Sequence, residues 1–406
     1  MTVGDPTKVN LRHLRAFALV AETGTVRAAA EMAGLSQPAV TQGLARLELH
    51  FGCSLFHRGH SGMRLSDDGM VLHARVIRLL GFLDDMKTRI NAARRGRRGD
   101  PIERMVSMVQ LQTLIAVADA RGFAAAGRRM HVAEPTVHRA ARELEKLVDV
   151  PLFQSVSYGV EMTPVGREAA RLASLALKEL ETAREELTAA AGFRGGRVVI
   201  GSLPLARTEI LPEAIACLYD DEPSASVEVL EGPYQALMHL LRKGEIDLII
   251  GALRDPPPHA DVLETALFED DLSVIARAEH PLTRLERVTV EDLAGFPWAA
   301  PRKETPTRRH FDMLLSGHGA EVGLVETSSM VIIRALLLKS DRLTLLSRRQ
   351  IMYEEQQGLL VALPFELPFT RRAIGFTTRL NWQPTKLQKL LLEHLRRISG
   401  ELVNDG

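Results

Sequence analysis

The sequence predicts a multidomain chain: two copies of a small α-helical unit, each continued by a long helix, and then an α/β domain. Three observations predict this. Residues 28–69 recur without a gap in a register of 97, and self-similarity at a fixed period marks a repeated structural unit. Each copy runs into a long stretch with apolar residues at helical spacing. From Arg197 the pattern changes to short buried strands alternating with helices, which predicts an α/β fold with a largely parallel sheet. The chain has 406 residues, 46% of them apolar, enough for several such cores.

The repeat is read residue by residue. Ala28-Ala29 returns as Ala125-Ala126, Pro38 as Pro135, Val40 as Val137, Leu47-Glu48 as Leu144-Glu145, Leu55-Phe56 as Leu152-Phe153 and Gly69 as Gly166. In the first copy, Leu11, Leu14, Phe17 and Ala18 predict a helix that Gly24 stops. Thr25 caps a second helix over about 26–33, and Gly34-Leu35 makes the turn. Ser36 caps a third, with Pro38 at its start, where a missing N–H costs nothing. Val40, Leu44 and Leu47 form the buried stripe of this helix, so Thr41, Gln42 and Arg46 project outward. Phe56 to Leu65, with Gly59 and Gly62 inside, predicts a two-stranded wing.

Short helices joined by a tight turn, the last with an outward polar face, suit the DNA major groove. Thr41 and Gln42 hydrogen-bond base edges there, and Arg46 grips guanine or phosphate. The helix N-terminus at Ser36, Gln37 and Pro38 takes a phosphate, and Arg58 and Arg64 on the wing hold the flanking backbone. A plain three-helix bundle with a solvated polar face has the same spacing. The charge distribution favours a polyanion partner at one end. Residues 1–100 carry 15 Lys and Arg against 9 Asp and Glu, residues 101–195 carry 12 of each, and residues 196–406 carry 24 against 30.

Ser36-Gln37-Pro38-Ala39-Val40-Thr41, then Leu47-Glu48, then Leu55-Phe56-His57-Arg58 resemble the signature of LysR-type regulators. Phe17 and Ala28-Ala29 upstream, and Gly69 after the wing, belong to the same pattern. The resemblance covers nearly the whole chain. It implies a winged helix-turn-helix that binds double-stranded promoter or operator DNA and a long linker helix for dimerisation. It also implies a sensor domain of the periplasmic-binding-protein fold. This chain departs from the family in having two DNA-binding units. The expected fold class is therefore two α winged helix-turn-helix units with long linker helices, then an α/β two-lobed sensor domain. The expected boundaries are 9–66 and 106–163 for the reading units, 67–93 and 164–195 for the linker helices, 94–105 for a basic linker and 196–406 for the sensor.

The second copy is altered where DNA would be read. Ser36-Gln37 becomes Ala133-Glu134, so the cap is lost and a carboxylate stands where phosphates would approach. Arg58 becomes Ser155 and Thr41 becomes His138. Leu114, Phe123, Val137, Leu144, Leu152 and Phe153 keep the core, and Thr136, Arg139 and Arg142 remain available for DNA. The first linker helix, about 67–93, is expected to bury Val71, Ala74, Ile77, Leu80 and Leu83; the second, about 164–191, Leu172, Leu175, Leu180 and Leu187. Such stripes need a partner. Either the two helices pair inside one chain, as a pseudo-dimer on an asymmetric operator, or each pairs with its twin from another chain in a homo-oligomer.

In the C-terminal half the resemblance implies two lobes joined by crossover strands, which Leu272–Ala276 and Ala373–Thr377 fit. Lobe one is then about 196–271 and 378–406, and lobe two about 277–372. Lobe-two strands are expected at Trp298-Ala299-Ala300, Val322–Val325, Leu343–Leu346 and Leu359–Leu363. A helix is expected after Pro204 to about Tyr219, and a last one over about 386–402. Ligands of open α/β sheets sit beyond the strand C-termini, where helix N-termini point. That rule selects Ser202, Leu203, Pro204 and Glu231 in lobe one. In lobe two it selects Arg302, Thr305, Thr327 and Ser328, near Lys303, Arg308 and Arg309. The hydroxyls and guanidinium groups suit a carboxylate- or sugar-derived effector. Ordinary N-capping also explains the hydroxyls, and a solvated helix start explains Arg308-Arg309. Pro301 to Thr307, leading into Arg308-Arg309, resembles a family branch that regulates sugar uptake.

Other classes find less support. The chain has no G-x-S-x-G, P-loop or H-E-x-x-H motif, so an enzyme is not expected, nor any cofactor or metal. An architectural regulator whose empty sensor serves oligomerisation is the competing expectation. Two lone cysteines, Cys53 and Cys217, give no disulfide framework and fit a reducing, cytoplasmic setting. No run of eighteen apolar residues predicts a membrane span.

Overall fold

Helix signals in the first copy act where the sequence places them. In the computed structural model, α1 (Leu11–Thr23), α2 (Val26–Ala33) and α3 (Gln37–Phe51) precede a hairpin of β1 (Phe56–Gly59) and β2 (Gly62–Leu65), and α4 (Asp67–Ala93) follows. The structure describes every residue except 1–8, 60–61, 95–105, 158, 191, 193–194, 304, 319–322, 368 and 405–406. The basic stretch expected as a linker therefore lies largely outside the described residues. Thr25 accepts a hydrogen bond from the Ala28 amide and Ser36 one from the Ala39 amide, satisfying donors the helices leave open.

The second copy repeats the plan with α5 (Met108–Ala120), α6 (Phe123–Met130), α7 (Glu134–Val148), a hairpin of β3 (Phe153–Val156) and β4 (Gly159–Met162), and α8 (Pro164–Ala190). It keeps the backbone while losing favourable residues. Gly24, Gly34 and Gly52 end the first three helices in the left-handed region. Their equivalents Arg121, His131 and Asp149 adopt the same region at φ of 53°, 55° and 51°, each at a cost of about 1 kcal/mol. Ala133 gives α7 no side-chain cap.

Two of the repeated residues hold the wings. Glu48 accepts from the Leu55 amide at 2.9 Å, and Glu145 accepts from Leu152 at 2.8 Å and Phe153 at 3.0 Å, fixing where each hairpin begins. Gly69 and Gly166 pass so close to the same strands that a Cβ would lie 2.1 Å from the Leu55 and Leu152 carbonyl oxygens. No other residue fits there without moving the long helix.

One apolar core runs through both copies, and α4 packs along α8. The buried face of α4 is Leu72, Val76, Leu79, Leu83, Met86 and Ile90. This corrects the expected stripe: of its members only Leu83 is buried, and Ile77 is 49% exposed. The apolar doublets Val71-Leu72, Val76-Ile77 and Leu79-Leu80 fit two faces one residue apart, and the partner helix decides between them. On α8 the expected Leu172, Leu175, Leu180 and Leu187 are all buried.

The chain divides into two units, residues 1–196 with 242–245, and residues 197–241 with 246–406. The second unit holds two five-stranded sheets. The first comprises β5 (Arg197–Ser202), β6 (Ser226–Glu231), β7 (Leu248–Ala252), β8 (Val262–Asp270) and β14 (Arg372–Arg379), in the order β6-β5-β7-β14-β8. The other comprises β9 (Leu272–Arg277), β10 (Trp298–Ala300), β11 (Val325–Glu326), β12 (Leu343–Ser347) and β13 (Leu360–Ala362), in the order β11-β10-β12-β9-β13. The strands β5, β6 and β7 run parallel, as do β10, β11 and β12, while β8, β9, β13 and β14 pair antiparallel. Helices α9 (Ile210–Asp221), α10 (Tyr234–Lys243) and α15 (Lys386–Asn404) accompany the first sheet. Helices α11 (Val290–Ala294), α12 (Pro306–Leu314), α13 (Met330–Lys339) and α14 (Met352–Gln356) accompany the second. Leu391 and Leu395 of α15 pack into one core with Val198 and Ile200 of β5.

Two expectations are corrected here. The segments expected to cross between lobes each sit wholly in one sheet: β9 pairs with β12 and β13, and β14 with β7 and β8. The passages fall just before them, at Asp271 and within 363–371. Strand β8 went unread because its charged, half-buried sequence lacks a clean alternation. Pro204 opens only a 3₁₀ turn to Arg207, and the α-helix starts at Ile210. Part of the strand expected over 322–325 lies outside the described residues; Val325 is in β11.

Candidate nucleic-acid interface and effector cleft

The exposed face of α3 collects the residues expected to meet DNA. Ser36, Gln37, Pro38, Thr41, Gln42 and Arg46 are all exposed, while Val40, Leu44 and Leu47 anchor the opposite face. With Pro38 lacking an N–H, the Ala39 amide bonded to Ser36 Oγ and the Val40 amide to the Ser36 carbonyl, the Gln37 amide is the backbone donor this first turn can offer a phosphate. Arg64 is exposed on β2. Arg58 lies in β1; its side chain is outside the described residues.

The corresponding face of α7 is also exposed at Thr136, His138, Arg139 and Arg142. Its chemistry differs. Glu134 stands in the first turn, Arg142 pairs with Glu145 at 2.8 Å, and the position equivalent to Arg46 holds Glu143. Sequence reasoning passed over Glu143, although the register of 97 names it directly.

In the second unit, the C-terminal end of β7, beside β5, pairs with the start of β14. Here three contacts join the two sheets. Ser347 at the end of β12 hydrogen-bonds Asp270 at the end of β8. Arg349 reaches Glu209 at 3.3 Å, and Arg372 donates to Thr307 of α12 at 3.3 Å while also pairing with Asp270 at 3.3 Å. Burial raises the Asp270 carboxyl above its ordinary range, against the hydrogen bond from Ser347 and the charge of Arg372. His310, beside Arg372, is lowered by burial and by that positive charge. Among the described residues, His310 Nδ1 and Arg372 Nε are buried without a hydrogen-bond partner. Nearby, Arg254 lies over the Tyr234 ring at 4.4 Å, and burial with Glu264 pushes the Tyr234 hydroxyl up to about 12.

The residues selected from sequence surround this junction unevenly. Ser202 is fully buried, its hydroxyl 3.4 Å from the Leu203 carbonyl, so it offers a ligand no surface. Its own carbonyl holds Arg207, which pairs with exposed Glu231 at 3.1 Å. Leu203 is half-buried and Pro204 exposed. In lobe two Arg302 and Ser328 are exposed, Thr305 bonds the Arg302 carbonyl at 2.8 Å, and Thr327 accepts from the Ser329 amide at 3.1 Å. Arg308 is not a solvated helix start: it is buried and bonded to Asp312, Glu326 and the Pro301 carbonyl. Arg309 is exposed.

The sequence profile described as "Bacterial regulatory helix-turn-helix protein, lysR family" matches residues 11–70 and again 108–167. The profile "LysR substrate binding domain" matches residues 191–399. The chain belongs to the LysR family. LysR members are DNA-binding transcription regulators with a substrate-binding domain, and the fold described above is the family's two-domain plan. The HTH-type transcriptional regulator GalR of Pseudomonas putida is 33% identical over 97% of this chain and 98% of its own length. The regulator PcaQ of Agrobacterium fabrum is 27% identical over 97% of its length but only 74% of this chain. A full-length OxyR variant of Pseudomonas aeruginosa matches at a TM-score of 0.53 and 25% identity, covering 97% of that chain and 71% of this one.

Sequence reasoning missed Asp270, Thr307, His310, Ser347, Arg349 and Arg372. No motif binds them, because they come from segments far apart in the chain and meet only where the two sheets join. Among the described residues no group of three or more His, Cys, Asp or Glu could hold a metal, and no helix is long and apolar enough to cross a membrane.

Proposed function

We propose that this LysR regulator carries two winged helix-turn-helix reading heads in one chain and sets them on the unlike halves of an asymmetric operator. The repeated match of the family's helix-turn-helix profile carries the reading. Relatives such as PcaQ, matched over nearly all their length, leave about a quarter of this chain uncovered, room for one additional head. The heads read differently: α3 presents Thr41, Gln42 and Arg46, and α7 presents His138, Arg139 and Glu143. Arginine prefers guanine, and a glutamate accepts from cytosine N4 but repels phosphate. Head one supplies most of the affinity, having the intact Ser36 cap and the basic surroundings.

The second unit is read as a periplasmic-binding-protein-like sensor whose small-molecule effector sits where the two sheets join. The His310 Nδ1 and Arg372 Nε atoms, buried without a hydrogen-bond partner in half-buried side chains, support an anionic or polyhydroxylated ligand such as a carboxylate or sugar acid. Leu203, Pro204, Glu231, Arg302, Thr305, Thr327 and Ser328 line the approaches in this reading, while Ser202 is confined to positioning Arg207.

Gln42→Ala or Arg46→Ala is expected to cost about 1–3 kcal/mol of operator affinity and to relax specificity at one base position. Quantitative DNA-binding titration at fixed salt checks this. Larger losses from Arg139→Ala or Arg142→Ala would reverse the ranking of the heads.

A further inference from the structure

We infer that α4 and α8 are matched to each other and mismatched to second copies of themselves, so that the paired helices belong to one chain. The inference deepens the two-headed reading and rests on it only in taking these helices to carry the heads. The register of 97 identifies equivalent positions on the two helices, and their buried faces show two kinds of complementarity.

The first is size. Leu72, Val76, Leu79 and Met86 on α4 correspond to Ala169, Ala173, Ala176 and Ala183 on α8, and all eight are buried in the same core. Large residues on one helix interdigitate with small ones on the other. Two copies of α4 would set large against large and overpack. Two copies of α8, with Leu180 and Leu187 as the large residues of that face, would still set several alanines against alanine and leave voids.

The second is charge. Arg75, 6% exposed, bonds Glu186 at 2.7 Å and Glu179 at 3.2 Å, and Arg78 bonds Glu179 at 2.8 Å. Burial works against the Arg75 charge, yet the hydrogen bonds and charges of Glu186 and Glu179 outweigh it and raise the group's pKa. The positions on α4 equivalent to Glu179 and Glu186 are Phe82 and Arg89. An α4–α4 pair in this register would bury Arg75 against an aromatic ring and another arginine. The positions on α8 equivalent to Arg75 and Arg78 are Leu172 and Leu175. An α8–α8 pair would bury two carboxylates against leucine. Buried charge without a partner is strongly disfavoured, so each like-with-like pairing is penalised while the mixed pairing is satisfied.

The test uses the full-length chain and charge reversal. Arg75→Glu with Arg78→Glu, and separately Glu179→Arg with Glu186→Arg, should each lower amide-exchange protection of α4 and α8 by at least about tenfold. All four changes in one chain should restore it. Co-expressing the two double variants as separate chains should not, because each chain still holds its own mismatch. Recovery in that mixture would show that the helices pair between chains and overturns the inference; failure of the fourfold chain to recover overturns it as well. A variant with Met at all four positions guards against a misfolded reversal. With the charges gone, light scattering should find more chains per particle than in the wild type, and an unchanged mass counts against the inference. None of these readouts involves DNA, so their failure leaves the regulator reading standing.

Discussion

Arg75→Ala is expected to destabilise the first unit by up to about 3–5 kcal/mol, because it leaves half-buried Glu186 without its cation and buried Glu179 with Arg78 alone. The guanidinium holds Glu179 and Glu186 at once, and Glu179 is itself buried. The loss combines broken hydrogen bonds with a negative charge left unpaired at a partly desolvated site. A control separates this from an ordinary surface effect. Arg27 pairs with Glu31 on α2 with both side chains well exposed, 79% and 69%, and Arg27→Ala should change stability by less than about 0.5 kcal/mol. Denaturant unfolding, followed by a probe in the first unit, compares the two. Equal effects would show that the buried cluster is not what joins α4 to α8.

Thr307→Trp is expected to abolish the effector response while sparing DNA binding. Thr307 bonds Arg372 where the two sheets join, so an indole there fills the space a ligand needs and displaces the arginine. A wild-type chain at a ligand concentration about 100-fold above Kd gains about 2.7 kcal/mol of stability. The variant should gain none when carboxylates and sugar acids that shift the wild type are tested by thermal unfolding. An undiminished shift would place the effector elsewhere. Operator affinity without ligand should match the wild type, since the heads are untouched.

What could be read from the sequence follows from how far apart the cooperating residues lie. Caps at Thr25 and Ser36 act on amides three residues on, and the register of 97 is a one-dimensional signal, so the elements of the first unit were legible. The buried face of α4 was not. Doublets such as Val76-Ile77 satisfy two helical faces equally, and only α8 selects one. Arg75 carried a signal that polarity disguised: it shares a face with Leu72 and Leu79, where an ion partner was needed and Glu179 lies more than a hundred residues away. The sensor strands with continuous apolar runs, such as β5 and β7, were visible, whereas edge strand β8 was not. The groups where the sheets join, Asp270, Ser347 and Arg372, have no local pattern. The sheet-end rule chose Ser202, whose hydroxyl is turned into the core.

Two unlike heads of one chain are expected to read one asymmetric site. Selecting bound sequences from random duplex DNA with the full-length protein tests it most directly, when repeated with Arg46→Ala and with Arg139→Ala. Two different half-sites are expected, with Arg46→Ala relaxing bases in one and Arg139→Ala relaxing bases only in the other. A palindromic site whose halves are both relaxed by Arg46→Ala and left unchanged by Arg139→Ala would contradict it.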